Sequence, residues 1–264
     1  MIRRYAELRP EELASAFAEV PVAIVPIGVL EWHGAHLPLG LDGLVAGAFA
    51  ERLAERTGAD LLPTSWHAIT ALPHPTSLST PPAAMRAVWD ALIAGLGGAG
   101  ARVVCLVSGH YAQGHMLELY DAADRGPAVG CDVLAATPLE PLGDRDLLDH
   151  AGRIEASLLL ALRPDLVDLA RHRPGPPRET AVLGDDPRKA TAGEGERLQE
   201  LGCAAWEAWV VSALHGSADL CAHYDGRRAW YADYRSRFAP DGDWEAGIDR
   251  WWRSLAAAPG AESS

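Results

Sequence analysis

The stretch that decides the fold is the apolar run Val22–Leu30 (VAIVPIGVL), which leads directly into Glu31–Asp42 (EWHGAHLPLGLD). A short run rich in β-branched residues is typical of a buried strand. The twelve residues behind it hold one glutamate, two histidines and one aspartate. Because open α/β sheets bind ligands beyond the carboxyl ends of their strands, these side chains occupy the position expected of a functional site.

The chemistry of this segment favours a metal. Glu31 and His33 stand two residues apart, so on an extended chain their side chains point the same way. Mixed nitrogen and carboxylate ligands suit zinc, manganese or iron. The competing interpretation is a polar, solvated loop without a metal. The later motifs of the chain distinguish between these two interpretations.

Strands and helices alternate along the chain. We predict strands at 22–29, 59–63, 102–107 and 130–137, and helices at 9–19, 43–56, 81–96, 113–123, 149–162 and 194–214. This alternation indicates right-handed βαβ units, which place helices on both faces of a mostly parallel sheet. We expect one domain over residues 1–264, with a tryptophan-rich segment at 230–252 that serves packing or a subunit interface.

Two later clusters bear on the first. Gly109-His110 follows the strand 102–107, so a parallel sheet brings His110 to the same edge as the first segment. A histidine there could instead only cap the next helix. The third cluster is Asp149–Ser157 (DHAGRIEAS), in which Glu155 has apolar neighbours. Burying that carboxylate costs several kcal/mol unless it is paired or bound to a metal, whereas the first two residues of the cluster could serve as a helix cap.

Composition excludes several partners. The chain has 264 residues, 48% of them hydrophobic, and a formal net charge of −13. That charge argues against nucleic acid and anionic membrane surfaces as partners. No apolar run approaches the ~20 residues that span a bilayer, and from the polar stretch after Met1 we expect no signal peptide. The four cysteines form no CxxC pair, so we expect a cytoplasmic protein in a reducing compartment.

The motifs resemble those of the creatininase family. Glu31–Asp42 is similar to its Glu-x-His-Gly-x-His-Leu-Pro-Leu-x-x-Asp block, and Gly109-His110 and His150–Ser157 are similar to its later blocks in the same order. The resemblance spans roughly residues 20 to 210. It implies a three-layer α/β/α sandwich, a hexamer, two divalent metal ions per subunit (zinc or manganese, with iron possible) and hydrolysis of C–N amide bonds.

The resemblance also implies site residues. Glu31 and His110 would hold one metal, His33 the other, and Asp42 would bridge them. Creatininase itself has a glutamate ligand two residues after the Gly-His histidine, where this chain has Ala112. Glu155 is then the candidate that completes the second metal; the alternative is a site with one weakly held metal.

The remaining site residues follow from the third block and from the segments beside the motifs. His150 would donate or accept the proton beside the metal-bound water, with Asp149 assisting it. We expect the substrate to contact Tyr111, Ser77, Trp32 and His74. Ala112, together with the lack of a tryptophan in the 138–148 loop, argues against creatinine as the substrate.

The predicted function is therefore a metal-dependent amidohydrolase. Its substrate would be a cyclic amide, a formamide or a short peptide-like amide. Ring opening of a lactone or a cyclic ketone-type compound is the first alternative. A catalytically silent metal-binding scaffold is the second.

Overall fold

The core of the protein is a five-stranded, entirely parallel sheet, seen in a computed structural model that describes residues 2–255. The strands lie in the order β1-β3-β2-β4-β5. Their bounds are β1 Arg3–Arg4, β2 Val22–Ile27, β3 Asp60–Leu61, β4 Val103–Ser108 and β5 Asp132–Ala136. β2 and β4 form the centre, paired in register from Val22 opposite Val103 to Ile27 opposite Ser108. The predicted α/β class is confirmed.

Ten helices surround the sheet within the described residues. They are α1 Pro10–Glu19, α2 Leu41–Thr57, α3 Pro82–Ala99, α4 Gln113–Ala123, α5 Arg153–Leu162, α6 Pro177–Thr180, α7 Ala192–Leu214, α8 Leu220–Trp230, α9 Ala232–Phe238 and α10 Trp244–Ser254. None of the helices in this part of the chain combines the length and the apolar character needed to cross a bilayer.

The strands bury side chains on both faces, which produces the three layers. Alternate residues of β2, such as Ile24 and Val25, enter different cores. One core contains Phe49 of α2 and Trp206 of α7, and the other contains Trp89 of α3. Because successive side chains of a strand point to opposite faces, an uninterrupted apolar run such as that of β2 is what a doubly covered sheet requires.

Glycines bring the start of α2 against the ends of the two central strands. A Cβ added to Gly28, just after β2, would overlap the backbone of Gly43. A Cβ added to Gly109, just after β4, would overlap the carbonyl of Asp42. Only residues without a side chain allow this close approach. As a result, Asp42 sits between the ends of β2 and β4, at the edge where the motifs converge.

Two predicted regions differ from the structure. The helix expected from Asp149 begins at Arg153 instead, because Ala151 has a left-handed backbone with φ of 52°, which a helix cannot contain. The tryptophan-rich segment forms α9 and α10 behind α8, and it is only partly a packing element. Trp244 and Trp252 are buried within the subunit, but Trp251 lines a cavity described below.

Candidate metal centre

Five predicted side chains meet at the carboxyl edge of the sheet. His33 Nε2 lies 3.0 Å from Asp42 Oδ1 and 3.5 Å from Glu155 Oε2. His110 Nδ1 lies 3.1 Å from Glu31 Oε2 and 3.2 Å from Asp42 Oδ2. All five side chains are at most 2% exposed. The two oxygens of Asp42 thus face different imidazoles, so that this one carboxylate belongs to both halves of the cluster.

The spacing of these atoms suits metal ions. Glu31, Asp42 and His110 offer ligand atoms that all lie within 4.8 Å of one another, and so do His33, Asp42 and Glu155. Such mixtures of carboxylate and imidazole suit zinc and related ions. Asp42 is common to these two groups, which is the arrangement that the creatininase resemblance implied for a bridging residue, and Glu31, His33 and His150 form a third group of the same kind.

In their neutral form, which a metal would require, both histidines present a lone pair to the cluster. His110 Nε2 donates to the carbonyl of Ile69 at 3.0 Å, so the neutral ring keeps its lone pair on Nδ1. His33 Nδ1 donates to the carbonyl of Glu31 at 3.0 Å, which leaves the lone pair on Nε2. Metal-binding histidines almost always donate their other N–H in this way, because the bond fixes the ring and its tautomer.

Unpartnered polar atoms test whether a cation fits. Within the described residues, His33 Nε2, Glu31 Oε2 and both carboxylate oxygens of Asp42 are buried without a hydrogen-bond partner. Buried polar groups are normally satisfied, so four such atoms in one place require an explanation. Divalent cations would satisfy all four and would offset the charge of three buried carboxylates.

The carboxylates set the protonation of the cluster. Burial alone would lower the pKa of His33, but the charges of Asp42 and Glu155 outweigh it and raise that pKa to about 10. Burial likewise lowers the pKa of His110, but Glu31 and Asp42 outweigh burial and raise that pKa to about 10. Burial raises the pKa of Glu155 well above its usual value. Without another cation, the cluster therefore holds protons in place of metal.

His150 and Asp149 lie beside the cluster but do different things. The ring of His150 stacks on that of His33 at 4.3 Å, and its Nε2 donates to the carbonyl of Trp32 at 3.2 Å. Burial and the nearby charge of His33 lower the pKa of His150 to about 4. The carboxylate of Asp149 accepts the backbone N–H groups of Ile154 and Glu155, at 2.8 and 3.1 Å. Asp149 thus caps α5, and a backbone carbonyl rather than Asp149 orients the His150 ring.

Strained backbone supports the ligands from both sides. Thr70 and Ala151 are non-glycine residues with φ of 60° and 52°. Two backbone groups near Thr70 bind the cluster. The carbonyl of Ile69 accepts a hydrogen bond from His110, and the N–H of Leu72 donates one to the carboxylate of Glu31. Ala151 donates its N–H to Glu155 at 2.7 Å. Such strain persists only where surrounding contacts impose it, and it is commonest at functional sites.

A cavity of ≈ 230 Å³ opens onto this cluster. Its polar end is formed by Glu31, His110 and His150. Its other described walls include residues for which the motifs gave no signal: Thr70, Leu72, Arg145, Leu148, Leu183, Tyr231, Tyr234, Ile248 and Trp251. A cleft of this kind beside ionisable side chains is the arrangement expected of a small-molecule site.

Of the four predicted substrate contacts, Tyr111 lines the cavity. The other three form a neighbouring group. Ser77 Oγ accepts the backbone N–H of Trp32 at 3.1 Å, and the Trp32 ring stacks on His74 at 4.4 Å. The carbonyl of Trp32 also accepts a hydrogen bond from His150. Trp32, Ser77 and His74 therefore position His150 and do not line the cavity.

Buried histidines beside the cluster complete its surroundings. His36 Nε2 donates to the carbonyl of Ala151 at 2.9 Å. His115 Nε2 lies 3.1 Å from Ser108 Oγ, and its ring packs 5.1 Å from that of His110. Both rings therefore help to fix the backbone and side chains around the five candidate ligands.

A parallel α/β sandwich with a buried carboxylate–imidazole cluster at its carboxyl edge defines a class of metal-dependent enzymes. Residues 6–210 match the model of the family described as creatininase, creatinine amidohydrolase. The chain belongs to the creatininase family, whose members are hydrolases that act on amide bonds.

Two kinds of relative share 31% identity with the chain. One is the mycofactocin precursor peptide peptidase of Mycolicibacterium smegmatis, matched over 68% of this chain and 80% of that protein. The other is the creatinine amidohydrolase of Pseudomonas putida, matched over 59% of this chain and 70% of that protein. These two relatives are named for different substrates, so family membership leaves the substrate of this chain open.

Solved structures support the fold. A crystal structure of creatinine amidohydrolase superimposes with a TM-score of 0.69 at 24% identity, over 78% of this chain and 95% of that one. A manganese form of creatininase gives the same score over 79% and 97%. A Zn–Zn form of a creatininase variant gives 0.69 over 79% and 96%.

Proposed function

We propose that this protein is a metal-dependent hydrolase that cleaves a C–N amide bond of a small molecule. The observation that carries the proposal is the pair of ligand groups joined at Asp42, in which Glu31 Oε2, His33 Nε2 and both Asp42 oxygens are buried without a hydrogen-bond partner within residues 2–255. Glu31 and His110 complete one group, and His33 and Glu155 complete the other. Manganese and zinc, the metals of the creatininase structures, are the candidate ions.

Divalent ions held by these five residues would polarise a scissile carbonyl and make water a nucleophile near neutral pH. The proton transfers of the reaction would be carried out by a side chain of the protein. Burial lowers the pKa of the His150 imidazole, which keeps the ring neutral at pH 7, and its Nε2–H is committed to the Trp32 carbonyl. Its Nδ1 lone pair can accept the proton of the attacking water and return it to the leaving nitrogen. Asp149 contributes by fixing the start of α5, and with it Glu155.

The substrate class follows from the cavity and the relatives. A space of ≈ 230 Å³ accommodates a small amide or the end of a peptide, but no large surface. The relatives support both kinds of substrate, since one is named for a peptide and the other for creatinine. Ala112 stands where creatininase has a ligand, and the 138–148 loop has no tryptophan, which favours substrates other than creatinine. A homo-oligomer remains part of the proposal by family resemblance, and a cytoplasmic location by the cysteine pattern.

The test combines metal content with a substrate panel. The purified protein is stripped with a chelator and reloaded with zinc or manganese, and bound metal is counted by elemental analysis. Release of amine and carboxylate is then followed for creatinine, formamides, lactams and short peptides. We expect metal-dependent cleavage of at least one non-creatinine amide. Fewer than one ion per subunit, with no gain from added zinc or manganese, would overturn the proposal.

A further inference from the structure

The outer wall of the cavity comes from a part of the chain that the family model does not match. That model covers residues 6–210, whereas the cavity is also lined by Tyr231, Tyr234, Ile248 and Trp251 of α9, α10 and the residue before α9. The metal ligands all lie inside the matched part. Part of the surface that a substrate would contact therefore comes from a segment outside the matched range.

This wall is firmly attached to the sheet. Tyr224 of α8 donates its hydroxyl to the carbonyl of Val133 and accepts the N–H of Ala135, both in β5. Arg227 donates to the carbonyl of Glu140 at 3.0 Å and lies 4.0 Å from the centre of the Trp230 ring. Trp244 of α10 donates its indole N–H to the buried carboxylate of Glu118. The aromatic side chains thus form a preformed surface, which lowers the entropy cost of binding a ligand there.

A positive charge stands at the same wall. Arg145 lines the cavity, with its guanidinium 5.7 Å from the centre of the Trp230 ring. Among residues 2–255, no carboxylate oxygen lies within the 4.0 Å of a salt bridge to it. The adjacent Asp144 carboxylate accepts the N–H of Asp146 at 3.0 Å. Of the described residues that line the cavity, Arg145 alone is a lysine or an arginine.

The cavity therefore has three chemically distinct regions: the ligand cluster, the aromatic wall and the guanidinium. A guanidinium without a protein partner is suited to bind a carboxylate through two parallel hydrogen bonds. Rigid aromatic side chains bury flat apolar groups at low entropy cost. In a chain of net charge −13, an anionic ligand is repelled by the protein as a whole, so a local cation has to supply the attraction.

We propose that the substrate is an amide that carries both a carboxylate, bound by Arg145, and an aromatic or bulky apolar group, packed on Tyr231, Tyr234 and Trp251. This inference rests on the proposed hydrolase function and narrows its substrate class. Arg145 is then a specificity-determining residue, and α8–α10 form the specificity element of the enzyme.

Three small ligands without a cleavable amide test this directly by calorimetry on the metal-loaded protein. Hydrocinnamate has both groups, benzylacetone replaces the carboxylate with a neutral methyl ketone, and butyrate lacks the ring. We expect hydrocinnamate to bind about two- to fivefold more tightly than benzylacetone at low salt, the size of effect for an ion pair with an exposed arginine, and at least about tenfold more tightly than butyrate, the size of effect for one buried ring. Arg145→Met should abolish the preference over benzylacetone and keep the preference over butyrate, which also demonstrates that the cavity is intact.

Arg197→Met is the matched control, since Arg197 is exposed on α7 away from the cavity, and it should leave all three affinities unchanged. Equal binding of hydrocinnamate and benzylacetone by the wild type would overturn the inference. So would a carboxylate preference that survives in Arg145→Met, because the metal would then be what attracts the anion. Since no ligand is cleaved, these affinities are independent of turnover, and amide hydrolysis without the preference would refute this inference alone.

Discussion

At the scale of single residues, Asp42 has the most demanding position, because its two oxygens face the imidazoles of His33 and His110. Its predicted role as a bridge can be tested with Asp42→Asn, which keeps the size of the side chain and removes the charge. We expect metal affinity to fall more than about a hundredfold, since loss of an outer partner of a ligand alone costs ten- to a hundredfold. Equilibrium dialysis with zinc measures this.

Asp60→Asn is the matched control for that variant. Asp60 is also a fully buried carboxylate, but it pairs with Arg3 at 2.9 Å, at the far end of the sheet from the motifs. The Asp60→Asn substitution should leave the affinity for zinc unchanged. Unaltered zinc binding by Asp42→Asn would contradict the bridging role.

Sequence spacing explains why these ligand candidates could be found in advance, and where prediction stopped. Glu31 and His33 follow the buried strand β2, and His110 follows its parallel neighbour β4, so the three lie at the same sheet edge although residues 31 and 33 are not in a strand themselves. Thr70 and Arg145 gave no signal. The left-handed backbone of Thr70 is imposed by tertiary contacts, and although the creatininase resemblance implied that the 138–148 loop lies near the substrate, nothing in the sequence singled out Arg145 within it. The ligand roles themselves stay predictions.

At the scale of elements, the start of α2 depends on the absence of a side chain at Gly109. Gly109→Ala would place a Cβ on the carbonyl of Asp42, so the helix must move away from β4. Because the clash is with the backbone of Asp42, it cannot be relieved by moving a flexible side chain. We therefore expect the free energy of unfolding to fall by more than about 2 kcal/mol and metal binding to weaken. Urea denaturation and dialysis measure the two effects.

Gly95→Ala provides the opposite case. Gly95 lies within α3, and a Cβ there would meet nothing within 4 Å. Alanine favours a helix over glycine by about 1 kcal/mol, so this variant should be slightly more stable and should keep its metal. If Gly109→Ala changed neither the free energy of unfolding nor metal binding, the close approach of Gly109 to Asp42 would not be what positions α2.

Attachment of α8 should depend on pH through His223. Its ring packs 4.4 Å from Trp209, and its Nε2 has no hydrogen-bond partner within the described residues. Burial, followed by the charge of Arg227, lowers its pKa to about 4 from 6.5. A histidine whose folded pKa is lowered stabilises the fold above its unfolded pKa, and that contribution is lost as pH falls from about 6.5 to about 4.

The expected loss is about 1–2 kcal/mol after allowance for partial exposure of the ring. Melting temperatures measured at about pH 7 and about pH 5 should therefore differ less in His223→Phe than in the wild type, since phenylalanine cannot be protonated. An identical pH dependence in both proteins would contradict the assignment.

At the scale of the whole molecule, parallel topology is what unites distant motifs. Glu31, His110 and Glu155 are widely separated in sequence, yet β2, β4 and the start of α5 deliver them to one sheet edge. The α/β class and the meeting of Glu31 with His110 could be predicted from the alternation of strands and helices, whereas the role of Glu155 came from the creatininase resemblance. The aromatic wall could not, because α8–α10 carry no motif and their docking depends on particular contacts such as that of Tyr224 with β5.

The same convergence makes the stability of the molecule depend on metal. Three carboxylates buried together repel one another, and a cation that binds only the folded protein stabilises it by about 2.7 kcal/mol at a hundred times its dissociation constant. For a chain of this size each kcal/mol raises the melting temperature by about 2–4 °C, so zinc or manganese should raise it by about 5–10 °C, and a chelator should reverse the change. Asp60→Asn should retain this response, whereas Asp42→Asn should lose it. An equal rise in both variants would mean that the ions act elsewhere on the acidic surface, and that the buried cluster is not their site.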